Sequence, residues 1–243
     1  GGDAFFNRLG ATVCERTFCG EGSSTAWLLT VGPTAGLDPE SYIHSRYIVI
    51  WACNSVSTNL HHWAIVRDAQ KLGAKVVVID AYASRTAKEA DWHICPKPGT
   101  DGALAMALIN SIIAQDLVDQ DYVDKHTIGF PELKERARTR TPEWAETITG
   151  VPAADIRKLA RELATTQPAA IRMGVALERH YGGGQTIRAV SCIPALTGSG
   201  GRVDEPRVLL TTIAGLGSPT EVAKTIAPLP AALISCTFLQ SLK

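Results

Sequence analysis

Cys19 is the residue with the clearest chemical potential, because it lies in a stretch rich in glycine and serine over residues 19–24. Two apolar runs follow, at 47–54 and 75–80, and each ends in a polar residue. A thiolate suits a soft or redox-active metal. A lone cysteine more often serves as a small apolar filler, and composition alone favours that alternative. The order of thiol, turn and two strands nevertheless indicates a soft-metal or redox centre beside a nucleotide-binding sheet.

A second group of polar residues falls where predicted strands end, and open α/β sheets bind their ligands beyond those carboxyl ends. The residues are Asn54, Ser57, Thr58, Asp80 and Gly174. Asn54 offers both a donor and an acceptor, and Ser57 and Thr58 add hydroxyls. Asp80 can accept hydrogen bonds from ribose hydroxyls or from a guanine edge. Asn and Asp also simply turn a chain after a strand, so both interpretations stay open.

Two further segments could meet a ligand. Gly99 and Asp101 flank a predicted helix start that can present amides to an anion, and the carboxylate of Asp101 matches the N1–H and amino group of guanine. Capping of the helix is the simpler alternative, and we favour it. Arg179 and His180 precede a run of three glycines and could contact a phosphate or a substrate, or form a solvated loop. The sequence has no GxGxxG or Walker A motif to support a conventional NAD or ATP site.

Apolar periodicity predicts the elements that position these residues. Strands are expected at 47–53, 75–80, 93–95 and 169–175, and helices at 24–30, 59–72, 85–91, 102–115, 121–127, 153–165 and 185–196. Gly73 should end the helix over 59–72, and Thr141 should cap a helical turn that begins at Pro142. Alternating strands and helices predict an α/β fold with a mostly parallel, Rossmann-like sheet flanked by helices.

Composition excludes several classes of protein. The 243 residues suffice for one large domain or two small ones, and 24 basic residues balance 24 acidic ones, so nucleic acid is not an expected partner. No apolar run approaches the roughly 20 residues of a spanning helix. Six cysteines form no CxxC pair, which favours reduced thiols and a cytoplasmic location. The chain begins at Gly1 and we expect it to be a piece of a longer protein.

The order of the motifs resembles the molybdopterin oxidoreductases of the dimethyl sulfoxide reductase superfamily, over about residues 1–198. The matching segments are Ile50–Asn54, Gly73–Asp80, Arg85–Ala87 followed by Ala90–Asp91, Pro98–Leu104, Thr141–Glu143, Ile148–Val151 and Leu196–Gly198. Ala52 stands where the family usually has a glycine. We expect 1–198 to be the cofactor-binding α/β portion of a larger multidomain enzyme, and 199–243 to be an atypical tail that need not belong to the fold.

The resemblance implies a molybdenum or tungsten ion held by two molybdopterin guanine dinucleotides, with two-electron chemistry at the metal. It makes Cys19 the protein ligand of the metal and His180 the candidate for handling a proton. By the same resemblance, one guanine dinucleotide would contact the residues Asn54, Ser57, Thr58, Asp80, Thr86, Gly99, Asp101, Gly174 and Arg179. An iron–sulfur cluster is expected only in a preceding N-terminal part. The implied partners are a small-molecule redox substrate and an electron-transfer subunit.

Three functions remain open from the sequence. The chain could be the central portion of a molybdenum oxidoreductase, a guanine-dinucleotide-binding module without catalysis, or an inactive truncated product. We favour the first as the identity of the family. We also expect the isolated chain to turn over no substrate, because half of the implied cofactor cage lies outside it.

Overall fold

A parallel sheet forms the centre of the protein. The computed structural model describes residues 2–12, 20–32, 36–199, 212–213 and 234–235. The strands are β1 (Tyr47–Trp51), β2 (Lys75–Ile79), β3 (Trp92–Ile94), β4 (Thr127–Ile128), β5 (Ala169–Met173), β6 (Thr212–Ile213) and β7 (Ile234–Ser235). Five of them form one sheet in the order β3-β2-β1-β5-β6, and every pairing in it is parallel. Strands β4 and β7 pair separately. The predicted α/β fold with a mostly parallel sheet is confirmed.

Helices lie between the strands and cover both faces of the sheet. The α-helices are α1 (Gly2–Arg8), α2 (Glu21–Val31), α3 (Ser55–Thr58), α4 (Leu60–Lys71), α5 (Arg85–Lys88), α6 (Asp101–Ala114), α7 (Gln120–His126), α8 (Phe130–Ala137), α9 (Pro142–Thr149), α10 (Ala153–Thr165) and α11 (Gly183–Leu196). Two 3₁₀ helices span Pro39–His44 and Val175–Arg179. None of the helices in the described ranges has the length and hydropathy that a membrane-spanning helix requires.

Strand β1 is buried along its whole length, which explains why its sequence is a continuous apolar run rather than an alternating one. Its side chains divide between two cores. Val49 and Trp51 face α6, α10 and α11 on one side, and Ile48 and Ile50 pack with residues of α4 on the other. Strand β1 therefore lies in the middle of the molecule, and its carboxyl end is held between two layers of helices.

Two predicted helix boundaries are confirmed by their hydrogen bonds. Gly73 has a φ of 97°, its N–H donates to Gln70 O at 2.9 Å, and the N–H of Ala74 donates to Ala69 O at 3.0 Å. These two bonds form a Schellman motif, which needs a left-handed residue at this position. The side chain of Thr141 accepts from Trp144 N at 3.2 Å and caps α9. Local capping chemistry was therefore sufficient to place these two ends.

Other elements differ from the prediction. The first strand ends at Trp51 and not at residue 53, because Ala52 adopts a φ of 52°, in the left-handed region that breaks a strand. Helix α8 was missed, although Pro131 in its first turn and the buried pair Leu133 and Ala137 are helical signals. The very short α3 and both 3₁₀ helices were missed too, because elements of four to six residues are too short to show periodicity.

The strand order creates a crevice at one edge of the sheet. The chain moves outward from β1 to β2 and β3, and β5 then pairs with the opposite side of β1. The strand order therefore reverses between β1 and β5, and open α/β sheets bind their ligands at the carboxyl edge beside such a reversal. Of the predicted tail after residue 198, the described part comprises residue 199 and the strands β6 and β7, and the boundary at 198 stays a prediction.

Candidate functional site

A cleft of about 220 Å³, which we call the strand-end cleft, opens at the carboxyl edge of the sheet. It lies between the ends of β1 and β2, the start of α6 and the 3₁₀ helix after β5. Its lining comprises Ala52, Asn54, Asp80, Ala81, Tyr82, Pro98, Gly99, Asp101, Ala176, Leu177 and His180. Residues from four separate segments thus meet at the crevice that the strand order creates.

Five of the residues singled out from sequence come together in this cleft, namely Asn54, Asp80, Gly99, Asp101 and His180. The other predicted site residues lie outside the lining of this cleft. Ser57 and Thr58 are exposed on α3, Thr86 and Gly174 are buried beneath the cleft, and Arg179 is exposed at the end of the 3₁₀ helix. Cys19 lies outside the described residues.

Asp101 is held by a buried indole and does not cap α6. The helix begins at Asp101 with Thr100 as the N-cap residue, and no side chain makes a capping bond there. The N-cap residue therefore lies within the predicted capping segment, but it is Thr100 and not Asp101. Oδ1 of Asp101 instead accepts from Nε1 of Trp51 at 2.8 Å. Trp51 is only 1% exposed, and a buried indole N–H needs an acceptor. This bond fixes the carboxylate at the rim of the cleft.

Asp80 brings a second carboxylate to the cleft, directly after β2. Burial raises the pKa of Asp80 above its usual range, and hydrogen bonds from Ser84 and from the amides of Tyr82 and Ala81 only partly oppose that rise. The backbone carbonyl of Asp80 also lies 2.9 Å from Nε2 of His93. Asp80 is thus a desolvated acceptor whose main chain and side chain are both held.

Asn54 projects from the end of β1 and is oriented by Thr86. The hydroxyl of Thr86 donates to Oδ1 of Asn54 at 2.8 Å and accepts from the N–H of Val56 at 2.9 Å. Nδ2 of Asn54 lies 3.4 Å from the hydroxyl of Tyr82, on the cleft side. Thr86 therefore acts beneath the cleft and not within its lining.

The turn that carries Asn54 rests on a buried histidine. Oγ of Ser55 lies 3.1 Å from Nδ1 of His62, and both side chains are buried. The ring of Tyr42 packs edge-on against His62 with a centroid distance of 4.7 Å. Burial, followed by the positive charge of Arg172, lowers the pKa of His62 to about 4. His62 is therefore neutral at physiological pH.

This buried histidine makes the fold sensitive to acid. The folded-state pKa lies below the unfolded value of about 6.5, so the unfolded chain binds the proton more readily. The contribution is fully present above pH 6.5 and is lost as the pH falls toward 4. We expect the free energy of unfolding to decrease by about 2 kcal/mol between pH 7 and pH 5 from His62 alone.

Urea unfolding at both pH values measures this loss, and the neighbouring residue supplies a matched control. His62→Gln should remove most of the decrease, because Gln carries no titrating group. His61→Gln replaces an exposed histidine on the same helix and should leave the decrease intact. Equal pH dependence in wild type and His62→Gln would contradict the assignment.

Two backbone segments, the one after β1 and the one after β5, approach each other closely beneath the cleft at Gly174. The N–H of Gly174 donates to Trp51 O at 2.8 Å. A Cβ atom on Gly174 would lie 1.8 Å from the carbonyl oxygen of Ala52. Ala52 itself has a left-handed φ of 52° at this point. The loops after β1 and β5 can therefore approach each other only because residue 174 has no side chain.

His180 and Gly99 meet across the cleft wall. Gly99 has a φ of 77°, and a Cβ atom on it would lie 3.2 Å from Nδ1 of His180. The ring therefore packs over the turn before α6. The exposed imidazole of His180 and the carboxylate of Asp101 both line the cleft.

Glu178 is a residue that sequence reasoning missed. Its carboxylate accepts from the N–H of Gly20 and from the N–H of Ser23, each at 2.6 Å. Burial alone would raise the pKa of Glu178, but these amides outweigh burial and hold the pKa below its usual range. The start of α2, which follows Cys19 in sequence, is thereby tied to the 3₁₀ helix that lines the cleft. No local pattern signals this contact, because its partners are more than 150 positions apart.

Comparison with known proteins identifies the class. The model of the molybdopterin oxidoreductase family matches residues 3–232. The chain is 41% identical over 194 residues to the probable oxidoreductase YoaE of Bacillus subtilis, covering 80% of the chain and 28% of that protein. It is 34% identical over 190 residues to the dimethyl sulfoxide reductase DmsA of Escherichia coli, covering 68% of the chain and 23% of that protein. The structure of acetylene hydratase from Pelobacter acetylenicus superimposes with a TM-score of 0.71 at 29% identity, covering 80% of the chain and 27% of that structure.

The chain belongs to the molybdopterin oxidoreductase family. It spans between about a fifth and a third of the length of the relatives it matches. The family is one of oxidoreductases, and it implies a molybdenum or tungsten pterin cofactor. The donors and acceptors that converge in the strand-end cleft fit the polar groups of such a cofactor.

Proposed function

We propose that this chain is the part of a molybdenum or tungsten oxidoreductase that binds a guanine dinucleotide form of the pterin cofactor in the strand-end cleft. The observation that carries the proposal is the convergence of Asn54, Asp80 and Asp101 on one cleft at the switch point of the sheet. The bound group would supply two-electron chemistry at its metal. The residues of this chain would bind and orient its nucleotide.

Each polar side chain would have a distinct task. Asp101 would accept hydrogen bonds from the N1–H and amino group of guanine, because a carboxylate matches that edge. Asp80 would accept from ribose hydroxyls. Asn54 would donate to an acceptor on the remaining part of the nucleotide. His180, exposed at the cleft wall, is the group proposed to hold or move a proton. A small-molecule redox substrate and an electron-transfer subunit are the proposed partners of the whole enzyme.

Cys19 is the proposed protein ligand of the metal. A thiolate suits molybdenum or tungsten as a soft donor. Because Gly20 follows Cys19 directly, the two hydrogen bonds from α2 to Glu178 tie the main chain next to Cys19 to the cleft-lining 3₁₀ helix. This tie supports a role in which residue 19 and the nucleotide site act on the same cofactor.

The proposal is tested by purifying the protein without oxygen from a host that makes the cofactor. Metal content, guanine nucleotide released on denaturation and the number of sulfur ligands by X-ray absorption are measured on wild type, Cys19→Ala and Cys95→Ala. Cys95 is an exposed cysteine and serves as the matched control. We expect metal and nucleotide in wild type and Cys95→Ala, and one sulfur ligand fewer in Cys19→Ala.

Each other result has a definite meaning. Guanine nucleotide without metal in the wild type would make the chain a binding module. Neither metal nor nucleotide would refute the proposal. An unchanged number of sulfur ligands in Cys19→Ala would remove Cys19 from the coordination.

A further inference from the structure

The orientation of the Asn54 side-chain amide is fixed by two donors. Val56 N–H donates to the hydroxyl of Thr86, so the single proton of that hydroxyl is available to Oδ1 of Asn54, 2.8 Å away. The N–H of Thr86 points at the same oxygen from 3.4 Å. An amide nitrogen in that place could donate to the second lone pair of the Thr86 hydroxyl. The proton of that hydroxyl and the N–H of Thr86 would then have no acceptor.

A reversed amide would therefore be costly. Thr86 is fully buried, so its unpaired hydrogen-bonding groups could not turn to water. Each unsatisfied buried group costs about 1–3 kcal/mol. Asn54 consequently presents its Nδ2 to the strand-end cleft, where it is a donor and cannot act as an acceptor.

This donor faces side chains of the opposite kind. Asp80 and Asp101 line the same cleft as carboxylate acceptors, and Trp51 holds one oxygen of Asp101 in place. Two carboxylates favour the parts of a ligand that carry N–H or O–H donors and repel a phosphate. An ionised phosphate has hydrogen-bond acceptors and no donors. It therefore matches the end of the cleft where Asn54 presents a donor.

We propose that Thr86 is a positioning residue that makes Asn54 a fixed donor, so that the cleft binds a nucleotide in one direction, with the phosphate at Asn54. The inference rests on the proposed function, because it assumes that the cleft binds a guanine nucleotide. The base and ribose then lie toward Asp101 and Asp80. Thr86 acts through Asn54 and does not itself touch the nucleotide.

The test compares a ligand with a phosphate to the same ligand without one. Binding of guanosine monophosphate and of guanosine to the full chain is measured by NMR titration for wild type, Thr86→Val and Thr86→Ser. Val has nearly the shape of Thr without its hydroxyl, and Ser keeps the hydroxyl. We expect Thr86→Val to weaken guanosine monophosphate binding about tenfold, which is the loss of one hydrogen bond to a charged group. Guanosine binding should change less than about twofold, and Thr86→Ser should behave as wild type.

Two further variants sharpen the result. Thr165→Val removes an exposed hydroxyl on α10 that donates to the main-chain oxygen of Arg161 at 2.8 Å, and it should leave the binding of both ligands unaffected. Asn54→Asp places an acceptor where the donor stood. Asn54→Asp should weaken the binding of guanosine monophosphate more than the binding of guanosine. If Thr86→Val fails to fold, this variant still tests the direction of binding.

The outcomes separate the inference from the proposed function. If the wild type binds neither ligand, the proposed guanine-nucleotide site is refuted, and the inference about Thr86 is refuted with it. A wild type that binds both ligands, together with a Thr86→Val variant that weakens both in parallel or neither, leaves the site intact and overturns the role of Thr86.

Discussion

Asp101→Asn is expected to weaken guanosine monophosphate binding roughly 100-fold and to shift the preference of the strand-end cleft toward xanthosine monophosphate. The N–H of Trp51 requires an acceptor at the position of Oδ1, so the introduced amide must turn its oxygen to Trp51. Its nitrogen then faces the cleft as a donor. Guanine presents an amino group there and is repelled, whereas xanthine presents a carbonyl and is accepted.

NMR titration with both monophosphates measures this exchange of preference. Asp68→Asn is the matched control, because it removes an exposed carboxylate on α4 that pairs with Lys71. It should bind both nucleotides as wild type does. An Asp101→Asn variant that keeps its full affinity for guanosine monophosphate would show that this carboxylate does not contact the base.

Gly174→Ala is expected to lower the free energy of unfolding by at least about 3 kcal/mol. The added Cβ would lie 1.8 Å from the main-chain oxygen of Ala52, and rotation of a side chain cannot relieve contact with a backbone atom. The loops after β1 and β5 would have to move apart, and the bond from Gly174 N to Trp51 O would be strained. Urea unfolding monitored by tryptophan fluorescence measures the loss.

Gly184→Ala provides the control for this substitution. Gly184 lies in α11, and a Cβ atom there would meet its nearest neighbour, Cβ of Ala26, at 3.9 Å, which is an ordinary contact. Alanine also favours a helix over glycine by about 1 kcal/mol. The control should therefore be neutral or stabilising. Equal effects of the two substitutions would contradict the close approach at Gly174.

The sheet could be predicted from sequence because its signals are local. Strand β1 is buried on both faces and reads as an uninterrupted apolar run, and Gly73 and Thr141 end or begin their helices through bonds within a few residues. The positions of Asn54 and Asp80 at one edge followed from the rule that parallel strands end together. The order of the strands and helices was therefore enough to predict this part of the cleft.

The parts of the site that could not be predicted depend on contacts between distant segments. Trp51 and Asp101 are 50 positions apart, and the sequence alone favoured helix capping for the segment that contains Asp101. Thr86 was expected to line the cofactor, but its partners are Asn54 and Val56, more than 25 positions earlier in the chain. A tryptophan at the end of a buried strand does signal that its N–H needs an acceptor. Which acceptor supplies that need is decided only by tertiary packing.

The contact between Glu178 and the start of α2 has a consequence for the order of events during synthesis. Glu178 emerges from the ribosome more than 150 residues after Gly20 and Ser23. At about 5–20 residues per second, the time between the synthesis of the two amides and the synthesis of their acceptor is on the order of ten seconds. The main chain beside Cys19 thus acquires these partners only after β1, β2 and β5 have been made. A single glutamate therefore makes the start of α2 a part of this unit that gains its tertiary hydrogen bonds late.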